Sequence, residues 1–138
     1  MKNQFTLVRQ HKNNDCGIAC IKMICKYYLT DFSEEKDLKY VQFSPNGINI
    51  KDIRNVLNRL GFKTEAVKLP KSKISASNIT LPAIACIKLG NTDLYHYIIV
   101  YKIEENYINY ADPSNGLMKK TFDEFNINFT GELILVLK

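Results

Sequence analysis

Apolar residues follow a helical period through the first half of this chain and an alternating one through the second. From Gly17 the small or apolar positions 17, 20, 21, 24, 25 and 28 return every three or four residues, while Lys22 and Lys26 share the opposite face. That spacing predicts a helix from Cys16 towards Leu29 with one side buried. Ser33 followed by Glu34 and Glu35 reads as an N-cap with acids in the first turn, so a short helix should run to about Val41 before the loop Ser44-Pro45-Asn46-Gly47. Ile53, Val56, Leu57 and Leu60 mark a third helix, which Gly61 is placed to close as a left-handed residue.

Beyond Gly61 the period becomes that of strands, predicted at Phe62 to Leu69, Pro82 to Leu89, Tyr95 to Ile103, Tyr107 to Asp112 and Gly131 to Leu137. A brief turn of helix is expected near Phe122 to Phe125. Helices first and an antiparallel sheet afterwards is an α+β arrangement, a helical N-terminal half packed on a C-terminal sheet. Residues 1–15 read as an extended lead-in ending in the polar run Asn13, Asn14 and Asp15, with Phe5, Leu7 and Val8 free to pack on the body. No internal repeat or linker divides the chain, so residues 1–138 are expected to form one domain.

Composition narrows the function classes. At 138 residues, 46% hydrophobic and 24% charged, the chain has the make-up of a soluble domain with one core. Met1-Lys2-Asn3-Gln4 leads into no apolar run of signal-peptide length, and the longest such run, Leu133 to Leu137, is far too short to span a bilayer, which suggests a cytosolic setting. The net charge of +5 comes from scattered basic residues, and this argues against nucleic acid as a partner. Three of the four cysteines (Cys16, Cys20, Cys25, Cys86) fall in one predicted helix with no secretory signal, so they read as reduced thiols. Their spacing fits no common zinc pattern, and neither a metal nor a cofactor is expected.

One cysteine stands apart. Cys16 lies at the junction between the polar turn and the first helix, where unpaired backbone N–H groups and the positive end of the helix dipole favour a thiolate over a thiol. Cys16 is therefore a candidate nucleophile. Asp15 reads as the N-cap of that helix, and its charge would oppose a thiolate if it pointed at the sulfur. Cys20, Cys25 and Cys86 read as buried packing thiols.

A thiolate nucleophile needs a base, and the base an orienting group. Of the two histidines, His11 lies in the approach loop, whereas His96 opens the apolar run Tyr97-Ile98-Ile99-Val100-Tyr101, where an ionisable ring has little structural reason to be. If the strands 96–102 and 106–112 are joined by a short odd-numbered loop centred on Glu104, His96 faces Asp112 at a Cβ separation of about 4.5–5.5 Å, within reach of an imidazole–carboxylate bond. A two-residue loop would break that pairing. Gln10, upstream of Cys16, could donate its amide to an oxyanion beside the Cys16 backbone N–H. Singly, each has a plain reading: a hydrogen-bonded core histidine, a turn-initiating aspartate before Pro113-Ser114-Asn115-Gly116, a solvent-facing glutamine.

Together these residues resemble the C39 peptidases, the papain-like N-terminal domains of bacterial ABC exporters for bacteriocins and peptide pheromones. The family pattern of Gln, four residues, Asp-Cys-Gly, then Ala-Cys and an apolar helix ending in paired tyrosines appears as Gln10, Asp15-Cys16-Gly17, Ala19-Cys20 and Tyr27-Tyr28. Further matches are Gly47, Leu60-Gly61-Phe62, Leu81-Pro82-Ala83-Ile84-Ala85, His96-Tyr97-Ile98-Ile99-Val100, Asp112-Pro113 with Gly116, and Phe125 to Thr130-Gly131. Tyr97 stands where phenylalanine is common, and Phe129 where tryptophan often precedes Thr-Gly; both keep an aromatic ring.

The resemblance implies a papain-like cysteine peptidase fold with Cys16 as nucleophile, His96 as general base and then acid, Asp112 as its orienting residue and Gln10 as oxyanion donor. It implies as substrate a bacteriocin or pheromone precursor peptide whose leader ends in Gly-Gly, cut on the carboxyl side of that pair. A channel too narrow for a Cβ would explain the glycines. It also implies work at the cytoplasmic side of the bacterial membrane. The chain has no G-x-x-x-x-G-K-[ST] loop, so the transmembrane and ATPase parts of such an exporter would lie in other domains. Two other readings stay open: a general papain-like amide hydrolase, and a module that binds leaders without cutting them.

Overall fold

Helix α1, Cys16–Tyr27, packs on the sheet and, beside it, against helix α3 (Ile50–Arg59). The computed structural model describes residues 5–12, 14–45, 47–70, 74 and 78–138; the Met1–Gln4 lead-in, Asn13 of the turn and Asn46 of the loop lie outside them. Because α1 is flanked on more than one side, its burial runs unbroken from Cys16 to Ile21 and on through Met23, Ile24 and Cys25, wider than the expected stripe. Lys26 stays exposed, while Lys22 is half-buried and pairs with Glu34 at 2.7 Å. The helix stops at Tyr27 because Leu29 turns left-handed (φ 55°), with Thr30 N donating to Cys25 O at 2.8 Å and Leu29 N to Lys26 O at 3.3 Å. At the end of α3, Gly61 (φ 99°) closes the same kind of turn, with Phe62 N on Leu57 O at 3.1 Å.

The start of α1 departs from expectation. Asp15 holds the N-cap position but makes no side-chain cap bond, since its backbone (φ −96°, ψ 9°) is not the extended one from which a side chain reaches the first-turn N–H groups. Its carbonyl takes Ala19 N at 2.9 Å instead. Gly17 permits the close packing of this end: a Cβ there would stand 2.9 Å from Ile48 Cγ1 and 3.2 Å from Ile53 Cδ1. Helix α2 spans Glu34–Asp37, capped by Ser33, and unwinds before Val41. Asn49 caps α3, its Oδ1 accepting from Asp52 N at 2.8 Å.

Among the described residues six antiparallel strands follow: β1 (Lys63–Lys68), β2 (Ala83–Lys88), β3 (Tyr95–Ile103), β4 (Tyr107–Asp112), β5 (Gly116–Thr121) and β6 (Phe129–Leu137), in spatial order β1-β6-β2-β3-β4-β5. β5 was not among the expected strands: Gly116-Leu117-Met118-Lys119-Lys120-Thr121 lacks a clean alternation, and it forms as an edge strand on β4. Helix α4, Phe122–Asn128, opens with a capping box between Thr121 and Glu124. One face of the sheet, with Ile84, Ile99, Ile134 and Val136, packs on α1 and α3. The other gathers Ile98, Val100, Tyr110, Phe125, Phe129 and Leu133. Phe5 stacks on Tyr101 with ring centres 5.0 Å apart and so pins the N-terminal segment. Among the described residues no helix is long and apolar enough to cross a membrane.

The β3–β4 register corrects the expected hairpin. The strands turn through two residues, Glu105 and Asn106, with Glu104 N donating to Tyr107 O at 2.8 Å, not through an odd-numbered loop centred on Glu104. Near the turn Ile103 faces Ile108 and Lys102 faces Asn109, a register that would leave His96 and Asp112 on opposite faces if it continued. A bulge at Tyr101 slips the ladder by one residue, so that Val100 faces Tyr110 and Ile99 faces Ala111. The slip returns His96 and Asp112 to a common face, where their side chains meet at 2.7 Å.

Candidate active site

Cys16 is the first residue of α1 and is buried, as is His96 near the start of β3. The β3–β4 ladder ends at Ile99–Ala111, so beyond it His96 is paired only on the β2 side, with Ile87. His96 Nε2 meets Asp112 Oδ1 at 2.7 Å, both side chains being about 5% exposed. That leaves Nδ1 as the ring nitrogen free to face the Cys16 side chain, which is among the groups that raise the proton affinity of the ring.

Asp112 is held from several sides. Ser114 N donates to Oδ1 at 2.8 Å, Asn115 N to the same oxygen at 3.4 Å, and Asn115 Nδ2 to Oδ2 at 3.1 Å. The turn reading of Asp112 and the imidazole-pairing reading are therefore both met, because the two carboxylate oxygens accept from the turn and the ring together. Burial pulls the imidazole towards neutrality, but hydrogen bonds to Asp112 and Cys16 and the charges behind them outweigh it and push His96 up to about 9. Burial likewise opposes the charge on Asp112, and the bonds from His96, Ser114 and Asn115 bring it below the usual carboxylate range. At neutral pH the ring holds its proton, and an imidazolium beside a sulfur is the setting that stabilises a thiolate.

The remaining cysteines are buried free thiols. Burial pushes Cys25 and Cys86 up to about 11 each, and raises Cys20 well above an ordinary thiol, with the charges of Cys16 and Asp112 adding to it. At neutral pH they are protonated packing thiols. Cys86 has a local explanation: the β2–β6 register shifts between Ala85 and Ile87, and Thr130 Oγ1 donates to the Cys86 carbonyl at 3.0 Å. His11 is exposed in the approach loop.

Gln10 reaches the loop after β4 but its amide is already engaged. Its Nε2 donates to Lys12 O at 2.7 Å and its Oε1 accepts from Ser114 Oγ at 2.9 Å. Sequence reasoning missed Ser114 and Asn115 as partners of the site; the signal was present in Asp112-Pro113-Ser114-Asn115-Gly116, a run whose aspartate accepts from the N–H two residues on.

A groove of about 330 Å³ opens on Cys16, lined also by Ser44, Gly47, Asn49, Leu89, Leu94 and Tyr97. Gly47 (φ 90°) lies so close to the Asn14 carbonyl that a Cβ would run into it. A larger cavity of about 750 Å³ sits at the other end of α1, lined by Lys22, Cys25, Lys26, Leu29 and Phe32. Among the described residues no group of three His, Cys, Asp or Glu side chains could hold a metal ion.

The family described as "Peptidase C39 family" matches residues 4–138. This chain belongs to the C39 peptidase family. Its α+β fold is the papain-like one of that family: over 97% of this chain it superposes on 98% of the peptidase domain of Streptococcus ComA, a bi-functional ABC transporter involved in quorum sensing, with a TM-score of 0.86 and 25% identity. The double glycine motif protease from an AMS/PCAT transporter, solved in complex with the leader peptide, shares the fold at a TM-score of 0.84 and 20% identity, covering 97% of this chain and 91% of that one. Among curated C39 relatives, the lactococcin-G-processing and transport ATP-binding protein LagD of Lactococcus lactis subsp. lactis is 33% identical over 128 residues, 93% of this chain and 18% of that protein. The pediocin PA-1 transport/processing ATP-binding protein PedD of Pediococcus acidilactici is 31% identical over 104 residues, 75% of this chain and 14% of that protein. The chain thus spans less than a fifth of the length of these relatives.

Proposed function

We propose that this chain is a cysteine endopeptidase domain that removes the leader from a bacteriocin or peptide-pheromone precursor after a Gly-Gly pair. The observation that carries it is the buried His96–Asp112 bond of 2.7 Å, on a ring whose proton affinity is also raised by Cys16 at a helix start. The C39 relatives support the substrate class, being processing and transport proteins for lactococcin G and pediocin PA-1.

In this reading the Cys16 sulfur attacks the carbonyl carbon of the scissile bond, and the oxyanion that forms takes hydrogen bonds from the Cys16 backbone N–H and the Gln10 amide. His96 gives its proton to the leaving amine, and a thioester remains on Cys16. His96 then takes a proton from water, the hydroxide attacks the thioester, and Cys16 leaves as thiolate. Asp112 keeps Nε2 protonated and the ring turned towards sulfur. Residues 1–138 act as one domain, working with the transmembrane and ATPase parts of an ABC exporter at the cytoplasmic side of the membrane.

The test is mass spectrometry of precursor peptides after incubation with the protein, with the Gly-Gly pair intact or changed to Gly-Val. A single cut after Gly-Gly, lost in the changed peptide, is expected. Equal cutting of both peptides would support a general amide hydrolase; leader binding with no cut in either would support a docking module.

A further inference from the structure

Three hydrogen bonds stitch the segment carrying Gln10 to the loop after β4. Gln10 N donates to Pro113 O at 3.1 Å, Arg9 Nη1 to Ser114 O at 3.3 Å, and Ser114 Oγ to Gln10 Oε1 at 2.9 Å. On its other side the Gln10 amide meets Lys12 O at 2.7 Å. A carbonyl oxygen can only accept, so the amide nitrogen must face Lys12, the amide oxygen must face Ser114, and the Ser114 hydroxyl must be the donor. The amide plane is thereby fixed at both ends. One of the two Nε2 hydrogens is spent on Lys12, and the second is the one an oxyanion would take.

Ser114 does a second thing at once: its backbone N–H lies 2.8 Å from Asp112 Oδ1, the oxygen that also meets His96. Within one residue, therefore, the hydroxyl orients the amide and the main chain orients the carboxylate. We infer that Ser114 is a positioning residue that holds the Gln10 amide in register with the His96–Asp112 pair, a role that rests on the peptidase reading above. The division of labour within Ser114 makes the role separable. Removing the hydroxyl frees Gln10 Oε1, which lies in an exposed setting and would rotate, yet it leaves the N–H on Asp112 in place. Oxyanion stabilisation should suffer while the acid–base pair does not.

The experiment measures kcat, KM and the pH profile of precursor cleavage for wild type, Ser114→Ala, Ser114→Thr, Gln10→Ala and the Gln10→Ala/Ser114→Ala double variant. Ser114→Ala should lower kcat roughly three- to tenfold with KM and both limbs of the pH profile unmoved, as expected for one exposed hydrogen bond. Ser114→Thr should restore most of it. In the Gln10→Ala background the second change should cost nothing further. An unaltered kcat in Ser114→Ala, a shifted pH profile, or losses that multiply in the double variant would overturn the role while leaving the peptidase reading intact. A folded wild type that cuts no Gly-Gly precursor would overturn both.

Discussion

Cys16 and Cys25 stand near opposite ends of the same helix, each buried and each beside a cavity, and the cavity at Cys25 is the larger by more than twofold, about 750 against 330 Å³. What separates them is a partner. At Cys25, burial raises the thiol to about 11, with Asp37 adding to the shift and Lys138 opposing it, and no imidazole lies alongside. At Cys16 the helix start meets a ring charged by Asp112. On the proposed reading, reactivity follows the neighbouring proton carrier and the helix end, not the space available.

The largest expected effect divides the two thiols directly. Cys16→Ala should lower cleavage by at least about a thousandfold, whereas Cys25→Ala should stay within about twofold and cost only roughly 1 kcal/mol of stability. Progress curves and thermal melts measure both, and equal losses of activity would break the comparison.

Alkylation reads the same difference without substrate. With Cys25 raised to about 11, on the order of one molecule in ten thousand carries its thiolate at pH 7, so iodoacetamide should label Cys16 alone in the folded protein. Peptide mapping that found Cys25 labelled as quickly would refute the assignment.

Asp112→Asn should cut kcat about a hundredfold or more while Cys16 stays in place, because the ring loses both orientation and charge support. The substitution also tests a pH effect. His96 is raised from its ordinary 6.5 to about 9, so its contribution to stability is full below about 6.5 and is lost as pH rises through about 9; the shift corresponds to roughly 3 kcal/mol. Asp112 is lowered, so its contribution is present above the ordinary carboxylate range and is lost as pH falls through its folded-state value. Denaturant midpoints across pH should form a plateau that falls on both sides, and Asp112→Asn should flatten the alkaline fall. Activity in the wild type should likewise decline as pH rises through about 9, where the imidazolium loses the proton owed to the leaving amine.

The smallest effect concerns the scaffold at the Cys16 end. Gly17→Ala would place a Cβ 2.9 Å from Ile48 Cγ1, and a loss of about 1–3 kcal/mol with reduced cleavage is expected from the shifted helix start. An unchanged melting temperature would mean that Ile48 yields easily and that the close packing does not set the sulfur's position.

Much of the fold was legible because the signals were local. α3 could be read from Ile53, Val56 and Leu57 with Gly61 beyond, and β3 and β4 from their apolar runs. β5 was not, since Leu117, Met118, Lys119 and Lys120 alternate poorly and the strand exists by pairing with β4. The approach of His96 to Asp112 was expected for a reason the structure corrects. The loop is even-numbered, and the bulge at Tyr101 supplies the compensating residue. Nothing in Tyr101 itself announces a bulge. Ser114 was read only as part of a turn because its hydroxyl partner lies 104 residues earlier.

The amino-acid order alone determined where backbone periods change, which thiol stands at a helix start, and that an imidazole and a carboxylate were present on neighbouring strands. Tertiary structure decided the insertion of β6 between β1 and β2, the slipped register that turns His96 and Asp112 to one side, and the bonds through Ser114 that reach Gln10. The physical reason is range. Hydrophobic period and capping act over a few residues and leave their mark in composition, whereas a ladder's register and a side chain's hydrogen-bond partner are settled by backbone groups brought together only when the sheet closes.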